Sequence, residues 1–411
     1  MKQPLADDAG PWRDLPDAAA LRLALPGPFR RAARLHPRRG QPTGWGTLEI
    51  VPWNMLGRFH AADIDPGSRL DYHTGCMYPQ DAASQVPVGL LNPRPGEVVI
   101  DCCAAPGSKS TQIGLALGDD GLLVCCDANP PRRAVLAETL ARQGVACAVV
   151  TPMPVARLAE RSPGCADAVL VDAPCSGHSE RSLKQTTAMG RRQVELLRTA
   201  ARLVRPGGRL VYSTCTPYRQ ENEVVVRGLL ATEARFAVEA VAANGCDGDL
   251  DGLGALRLWP HRQGTEPFFA CLLRASADSS GPHSRLAGRI PQHLHDLDAC
   301  LPHASWHVWR HGDLLFAGSP QAANCALPSD ARGIIVGRGQ TLKLEAWGAQ
   351  ALIERGASAE VLSHAEACRA WAGETCDVTD GLVRTESGAP LGDMSSGRLR
   401  IPSRMCRAGL V

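Results

Sequence analysis

The stretch Val98-Val99-Ile100-Asp101-Cys102-Cys103-Ala104-Ala105-Pro106-Gly107-Ser108-Lys109-Ser110-Thr111 decides how the chain is read. A short apolar run ends in an acid. A turn of small residues with Pro and Gly follows, and then a helix start. That pattern is a strand, a tight turn and a helix N-terminus, which lets backbone approach a ligand closely. On either side of it, apolar runs predict strands over 98–102, 122–126, 147–150, 168–172, 209–213 and 268–273. Helices are predicted over 108–117, 131–143, 189–204 and 221–231. A helix at 81–91 leads in, bent or split by Pro87. Pro206-Gly207-Gly208 is expected to end one helix and turn into the Leu210-Val211-Tyr212 strand. This alternation predicts an α/β fold. Its mostly parallel sheet is covered on both faces, with ligands at the C-terminal strand ends.

The 411 residues are enough for two or three domains. Residues 1–85 read as a small N-terminal module, 86–275 as the sheet domain, 276–300 as a linker and 301–411 as a C-terminal α+β or β-barrel module. Within the first, Ala18 to Leu25 predicts a helix capped by Asp17 and stopped by Pro26, and Thr47 to Val51 a short strand. In the last, Arg332 to Val336 and Gly381 to Thr385 predict strands, and Glu360 to Ala372 a helix. Charged residues are 21% and hydrophobic ones 44%, as in a soluble globular chain. The polar start and the absence of a long apolar run predict a cytoplasmic protein that does not cross a membrane.

The formal charge is only +2, so contact with nucleic acid would have to come from local patches. Candidates are Arg30, Arg31, Arg34, Arg38 and Arg39, and at the other end Arg398, Arg400, Arg404 and Arg407. The competing reading of each is a solvated face. The 16 cysteines include no C-x-x-C pair, so neither a disulfide framework nor structural zinc is expected, and most read as small buried hydrophobes. His303, His307 and His311 would share a helix face, but no carboxylate lies between them. Trp306, Val308 and Trp309 make that segment read as packing, and no metal is expected.

The chemistry sits at the strand ends. Asp127 ends the second strand, where a carboxylate accepts hydrogen bonds from both hydroxyls of a ribose; the alternative is an ordinary strand-ending Asp. Next to the turn at 103–109, which lacks G-x-G-x-x-G, it points to a nucleoside without a pyrophosphate. The fourth strand ends in Val171-Asp172-Ala173-Pro174-Cys175-Ser176-Gly177, and the fifth in Tyr212-Ser213-Thr214-Cys215-Thr216-Pro217. As neighbours, these ends would bring two thiols and an acid to one cleft. Such a set suits methylation at carbon-5 of a pyrimidine. A thiolate adds at carbon-6 and makes carbon-5 an enamine nucleophile. An acid stabilises charge on the ring, and a second group helps the first thiol to leave. Spacing does not rank the two thiols.

These stretches, with Tyr78-Pro79-Gln80-Asp81 upstream and Glu221-Asn222-Glu223 downstream, resemble the motifs of the RNA cytosine-C5 methyltransferase family, which includes bacterial ribosomal RNA methylases and Sun-domain proteins. The resemblance covers about residues 50 to 275. It implies a Rossmann-like domain with S-adenosylmethionine as methyl donor. The donor would be held by Cys103, Ala104, Ala105, Pro106, Gly107, Ser108 and Lys109, with Asp127 and Asp172. It implies Cys215 as nucleophile, Cys175 as the thiol that assists product release, and Asp172 and Lys109 beside them. An RNA partner is implied, ribosomal RNA first and transfer RNA as the alternative, acted on by a monomer that needs no metal. The segment Gly381 through Pro390-Leu391-Gly392 to Ile401-Pro402 resembles the PUA-like tail of the longer bacterial members. One departure stands out: the acid expected after the third strand to contact adenine is absent from Val150-Thr151-Pro152-Met153-Pro154-Val155. A catalytically weak RNA-binding assembly factor and a small-molecule methyltransferase are the competing readings. The twin thiols argue against both.

Overall fold

Apolar runs of four to eleven residues, each closed by a turn, have the length to cross one sheet, and the chain lays them side by side. The computed structural model describes residues 15–278 except positions 16, 41 and 180. It also describes 284–287, 306–311, 314–338 and shorter pieces between 343 and 399. The N-terminal part holds α1 (Ala18–Ala24), β1 (Ala32–Leu35), β2 (Glu49–Val51), β3 (Asn54–Phe59), α2 (Leu70–His73) and β4 (Met77–Pro79). Its four strands form an antiparallel sheet in the order β2-β3-β1-β4. Asp17 does not cap α1. Its carboxylate instead accepts a 2.8 Å hydrogen bond from Arg262.

The basic cluster expected at this end is divided by burial. Arg34 and Arg39 are buried, whereas Arg30, Arg31 and Arg38 are exposed. Arg34 donates to Gln80 Oε1 (2.9 Å) and to Thr111 Oγ1 (2.7 Å), and Arg39 donates to the carbonyls of Thr74 and Arg142. These two guanidiniums therefore fasten the N-terminal part to the helices over 108–117 and 130–142. At the other end Arg398 is exposed, and Arg400, Arg404 and Arg407 lie outside the described residues.

The lead-in at 81–91 is a 3-10 turn over 83–85 followed by α3 (Val86–Leu91). Pro87 sits in the first turn of α3, where its missing N–H is no loss, so the helix starts there rather than bending. Five parallel strands follow: β5 (Val98–Asp101), β6 (Leu122–Cys126), β7 (Ala148–Thr151), β8 (Ala166–Asp172) and β9 (Val204–Thr214). They stand in the order β7-β6-β5-β8-β9. Between them run α4 (Ser108–Leu117), α5 (Pro130–Arg142), α6 (Val155–Arg161) and α7 (Leu183–Ala201). Strand order reverses at β5, with β6 on one side and β8 on the other, so a cleft opens at the C-terminal ends there. Both faces are buried, by Ile100, Val124 and Val169 on one side and Val99, Leu123 and Leu170 on the other.

Helix α7 begins six residues before the expected 189. Ser182 and Gln185 form a reciprocal capping box there, a signal the apolar pattern did not carry. Pro206-Gly207-Gly208 is not a helix-ending turn. It lies inside β9, at an irregularity where Val204 pairs with Ala166 and Arg209 already pairs with Ala168. After α8 (Glu223–Leu230) come β10 (Phe236–Val238), β11 (Asp247–Gly248), β12 (Leu256–Leu258), α9 (Pro260–Gln263) and β13 (Phe268–Ala275), the last antiparallel to β9.

The sheet does not stop at 275. Leu286, Ala322, Cys325 and Leu327 belong to its main apolar core. Ser284 N–H donates to the Pro163 carbonyl (3.2 Å). Past β14 (His307–His311), β15 (Leu314–Gly318) and α10 (Pro320–Ala323), β16 (Ala331–Arg332) pairs antiparallel with β7. The segment 307–311 is thus a strand paired with β15 and not a helix, and His303 lies outside the described residues. β15 also pairs with β17 (Ile334–Arg338), which pairs with β18 (Lys343–Leu344). A last four-stranded sheet holds β19 (Glu360–Leu362), β20 (Gly381–Thr385), β21 (Pro390–Ser395) and β22 (Arg398–Leu399). The helix expected from Glu360 therefore starts as a strand, which pairs parallel with β20.

Candidate active site

Register brings the two thiols together. Asp172 on β8 pairs with Ser213 on β9, so the loops after these parallel strands leave side by side. Cys175 lies three residues past Asp172 and Cys215 two past Ser213, and their sulfurs stand 3.2 Å apart. Both are half-buried. Among the described residues, Cys76, Cys102, Cys125, Cys126, Cys147, Cys165, Cys271, Cys325 and Cys376 are buried. Asp172 is gripped on both oxygens, by Lys109 Nζ at 2.7 Å and by Ser213 Oγ at 2.7 Å. Lys109, on the first turn of α4, also donates to Ser84 Oγ (2.8 Å). Burial alone would lower the Lys109 ammonium, but the Asp172 carboxylate outweighs it, and the amine is held above its ordinary value.

The thiols titrate as one system. The S–H donated by Cys215 stabilises a thiolate at Cys175. That holds Cys175 below the usual thiol range against its burial, with help from backbone N–H groups of Gly177 and Cys215. The same hydrogen bond, with burial and the nearby Asp172 charge, pushes Cys215 up. Of the two, Cys175 is therefore the thiol that ionises more readily and Cys215 the one that keeps its proton longer.

Beside the thiols, a cavity of about 700 Å³ runs along the strand ends. Cys103 and Ala105 line it from the loop after β5, Asp127 from the end of β6, Arg132 from the first turn of α5, and Met153 and Val155 after β7. Asp172, Cys175 and Cys215 close its reactive end. Ala104 and Lys109 are buried and do not line it. Gly107 caps α4 at φ 116°, a left-handed conformation that suits glycine. A side chain there would also meet Thr139 and Leu136 of α5 at 3.0 and 3.1 Å. Asp127 Oδ1 accepts from the Asn129 N–H (2.9 Å). Its Oδ2 lies 3.4 Å from Arg132, too far to use up that oxygen's lone pairs. Asp101 does not face the cavity. It is buried beneath the turn, accepting from Ser110 Oγ (2.7 Å), and burial pushes its carboxyl up to about 6.

Residues 88–274 match the family model described as 16S rRNA methyltransferase RsmB/F. The tRNA (cytosine(49)-C(5))-methyltransferase of Pyrococcus abyssi is 34% identical over 249 residues, 55% of this chain and 80% of that protein. The chain belongs to the RNA cytosine-C5 methyltransferase family. Another member, the ribosomal RNA small subunit methyltransferase F of Klebsiella pneumoniae, is 35% identical over 257 residues, 57% of this chain but 53% of that one. The chain thus spans about half the length of this bacterial relative. Among solved structures, a methyltransferase homologue from Pyrococcus horikoshii superposes with a TM-score of 0.59 at 26% identity, over 64% of this chain and 93% of that one. NSun6 from Pyrococcus horikoshii, solved with SFG, shares the fold with a TM-score of 0.58 at 20% identity, over 65% of this chain and 97% of that one. The methyltransferase fold is therefore shared. Some neighbours of its site escaped the reading of residues. Ser213 lies inside a quoted motif and Ser84 three residues past one, yet only contacts across 41 and 25 residues of chain expose their work. Gln193, on α7, donates to the Pro174 carbonyl (2.9 Å), and no local pattern marks it.

Proposed function

We propose that the chain methylates carbon-5 of a cytidine in structured RNA, with S-adenosylmethionine as donor and Cys215 as covalent nucleophile. The observation that carries this reading is the 3.2 Å thiol pair beside Asp172 at the end of a nucleoside-sized cavity. Asp127 would accept the ribose hydroxyls, the Cys103–Ala105 backbone would flank the amino-acid tail, and Met153 and Val155 would give an apolar wall for the base. This wall stands where an acid is missing, so adenine would be recognised by shape and backbone groups. When bound, the donor supplies an electrophilic methyl on a sulfonium.

The protein's own groups do the rest. Proton transfer along the S–H···S contact to Cys175 frees the Cys215 thiolate, which adds at carbon-6 of the ring. The ring takes on the added negative charge at N3, which picks up a proton from water, and Asp172, held by Lys109 and Ser213, accepts hydrogen bonds from the exocyclic N4–H and the new N3–H. Carbon-5 takes the methyl. Cys175, having passed the proton it took from Cys215 on to water, accepts the carbon-5 proton as the carbon–sulfur bond breaks, Cys215 leaves as thiolate and N3 releases its proton. The base must be flipped or presented in a loop to reach Cys215. The C-terminal sheets, read as a PUA-like module, and the exposed arginines near the start are assigned to RNA contact.

The bacterial relatives' names favour ribosomal RNA, and the archaeal relative favours transfer RNA. The test is RNA carrying 5-azacytidine. A denaturation-resistant adduct is expected with the native chain and none with Cys215→Ser, whereas Cys175→Ala should accumulate adduct on ordinary RNA. No adduct with either RNA would favour an RNA-binding factor.

A further inference from the structure

The donor pocket is braced from outside the segment that carries the family's motifs. After β15 the chain crosses the edge of the large sheet. Ser319 Oγ donates to the Gly121 carbonyl (2.7 Å) and Thr151 Oγ1 to the Pro328 carbonyl (2.7 Å). The N–H groups of Asp330 and Gly333 donate to the carbonyls of Val150 (2.8 Å) and Ala148 (2.9 Å). This pairing places the Asp330 carboxylate against Arg133 on the first turn of α5. Arg133 is buried, and its guanidinium also donates to the carbonyls of Asp127 (3.0 Å) and Ala128 (3.1 Å). Both residues line the cavity, and Asp127 is the one whose carboxylate is assigned to the ribose site.

We infer that Asp330 is a positioning residue for the methyl donor. It orients Arg133, and Arg133 holds the Asp127–Ala128 backbone in the shape that binds a nucleoside. This rests on the donor-pocket reading above and deepens it. A guanidinium bonded to two carbonyls has N–H groups to spare, and a carboxylate on its far side fixes the plane in which it grips them. Thr151, near the position where the family's acid is missing, has its hydroxyl committed to Pro328. The C-terminal crossing therefore supplies rigidity on the side of the pocket that lacks a charged contact to adenine.

The test is a double-mutant cycle on the full chain, read by calorimetric binding of S-adenosylhomocysteine, with melting temperatures alongside. Asp330→Asn is expected to weaken binding about fivefold and Arg133→Met about tenfold or more. The double variant should be no weaker than Arg133→Met, because Asp330 acts only through Arg133. Asp330→Glu should restore most of the affinity. In turnover the donor KM should rise while kcat at saturating donor holds. Single variants that bind within about twofold of the native chain would overturn the inference, even with a lowered melting temperature, and so would losses that simply multiply. A native chain that fails to bind S-adenosylhomocysteine would overturn the donor-pocket reading, and the inference with it.

Discussion

Cys175 and Cys215 differ in how readily each loses its proton because each is the other's hydrogen-bond partner. Removing Cys215 takes away the S–H that holds Cys175 below the usual thiol range. In Cys215→Ala, the pH midpoint for alkylation of Cys175, followed by iodoacetamide labelling and mass spectrometry, should move upward. In Cys175→Ala the midpoint for Cys215 should move downward, because its main cause of elevation is gone. Asp101 offers a second titration. Burial raises its carboxyl from 3.8 to about 6, so the folded state keeps a proton that the unfolded chain has released. A raised acid contributes stability at low pH that is lost as pH climbs from the unfolded value through the folded one. Asp101→Asn should therefore gain on the native chain between roughly pH 4 and pH 6, in denaturant melts across that range. At this scale Asp127, Asp172 and both thiols were legible, because each ends an apolar run. The grip of Lys109 on Asp172 was not, since it joins residues 63 positions apart.

Helix α7 shows how an element holds a loop it does not contain. Its Ser182 box starts it, and Gln193 on its inner face donates to the Pro174 carbonyl and to the Glu221 carboxylate (3.0 Å), which also accepts from the Ser176 N–H (3.0 Å). Gly190, one turn earlier, lies against the backbone of Gln220, where an added Cβ would come within 2.2 Å of the carbonyl oxygen. Gly190→Ala must push that turn away and carry Glu221 with it. We expect a loss of about 2 kcal/mol or more in chemical denaturation, and a fall in adduct yield beyond what the lost stability accounts for. Ser182→Ala should cost about 1 kcal/mol with adduct yield preserved, because it removes only the cap. The parallel strands were legible from their apolar runs and the cores of α4, α5, α7 and α8 from their period, whereas α6 was not predicted. The true start of α7 was not, because a capping box is a reciprocal contact rather than a hydropathy pattern.

Across the whole molecule, buried arginines join parts that composition alone would separate. Arg34 crosses from β1 to Gln80 and to Thr111 on α4, and burial lowers its guanidinium to about 10. Arg34→Met should destabilise the chain by about 2 kcal/mol or more, since it leaves buried polar partners unmatched. Limited proteolysis should then cut sooner between the N-terminal sheet and α3. The same position was a candidate for RNA contact. An arginine in sequence does not declare whether its charge meets solvent, a phosphate or a carbonyl.

Local pattern settled the parallel sheet and the order of its strand-end motifs, and with them the candidate residues of the site. Alternation of apolar runs with helices has few foldings, and chemistry collects where such strands stop. Contacts between distant segments settled the rest: that the two sulfurs meet, which arginines are brackets, and that residues 319–333 finish the edge of the large sheet. These depend on pairings across tens to hundreds of positions, and periodicity within a dozen residues carries no trace of them.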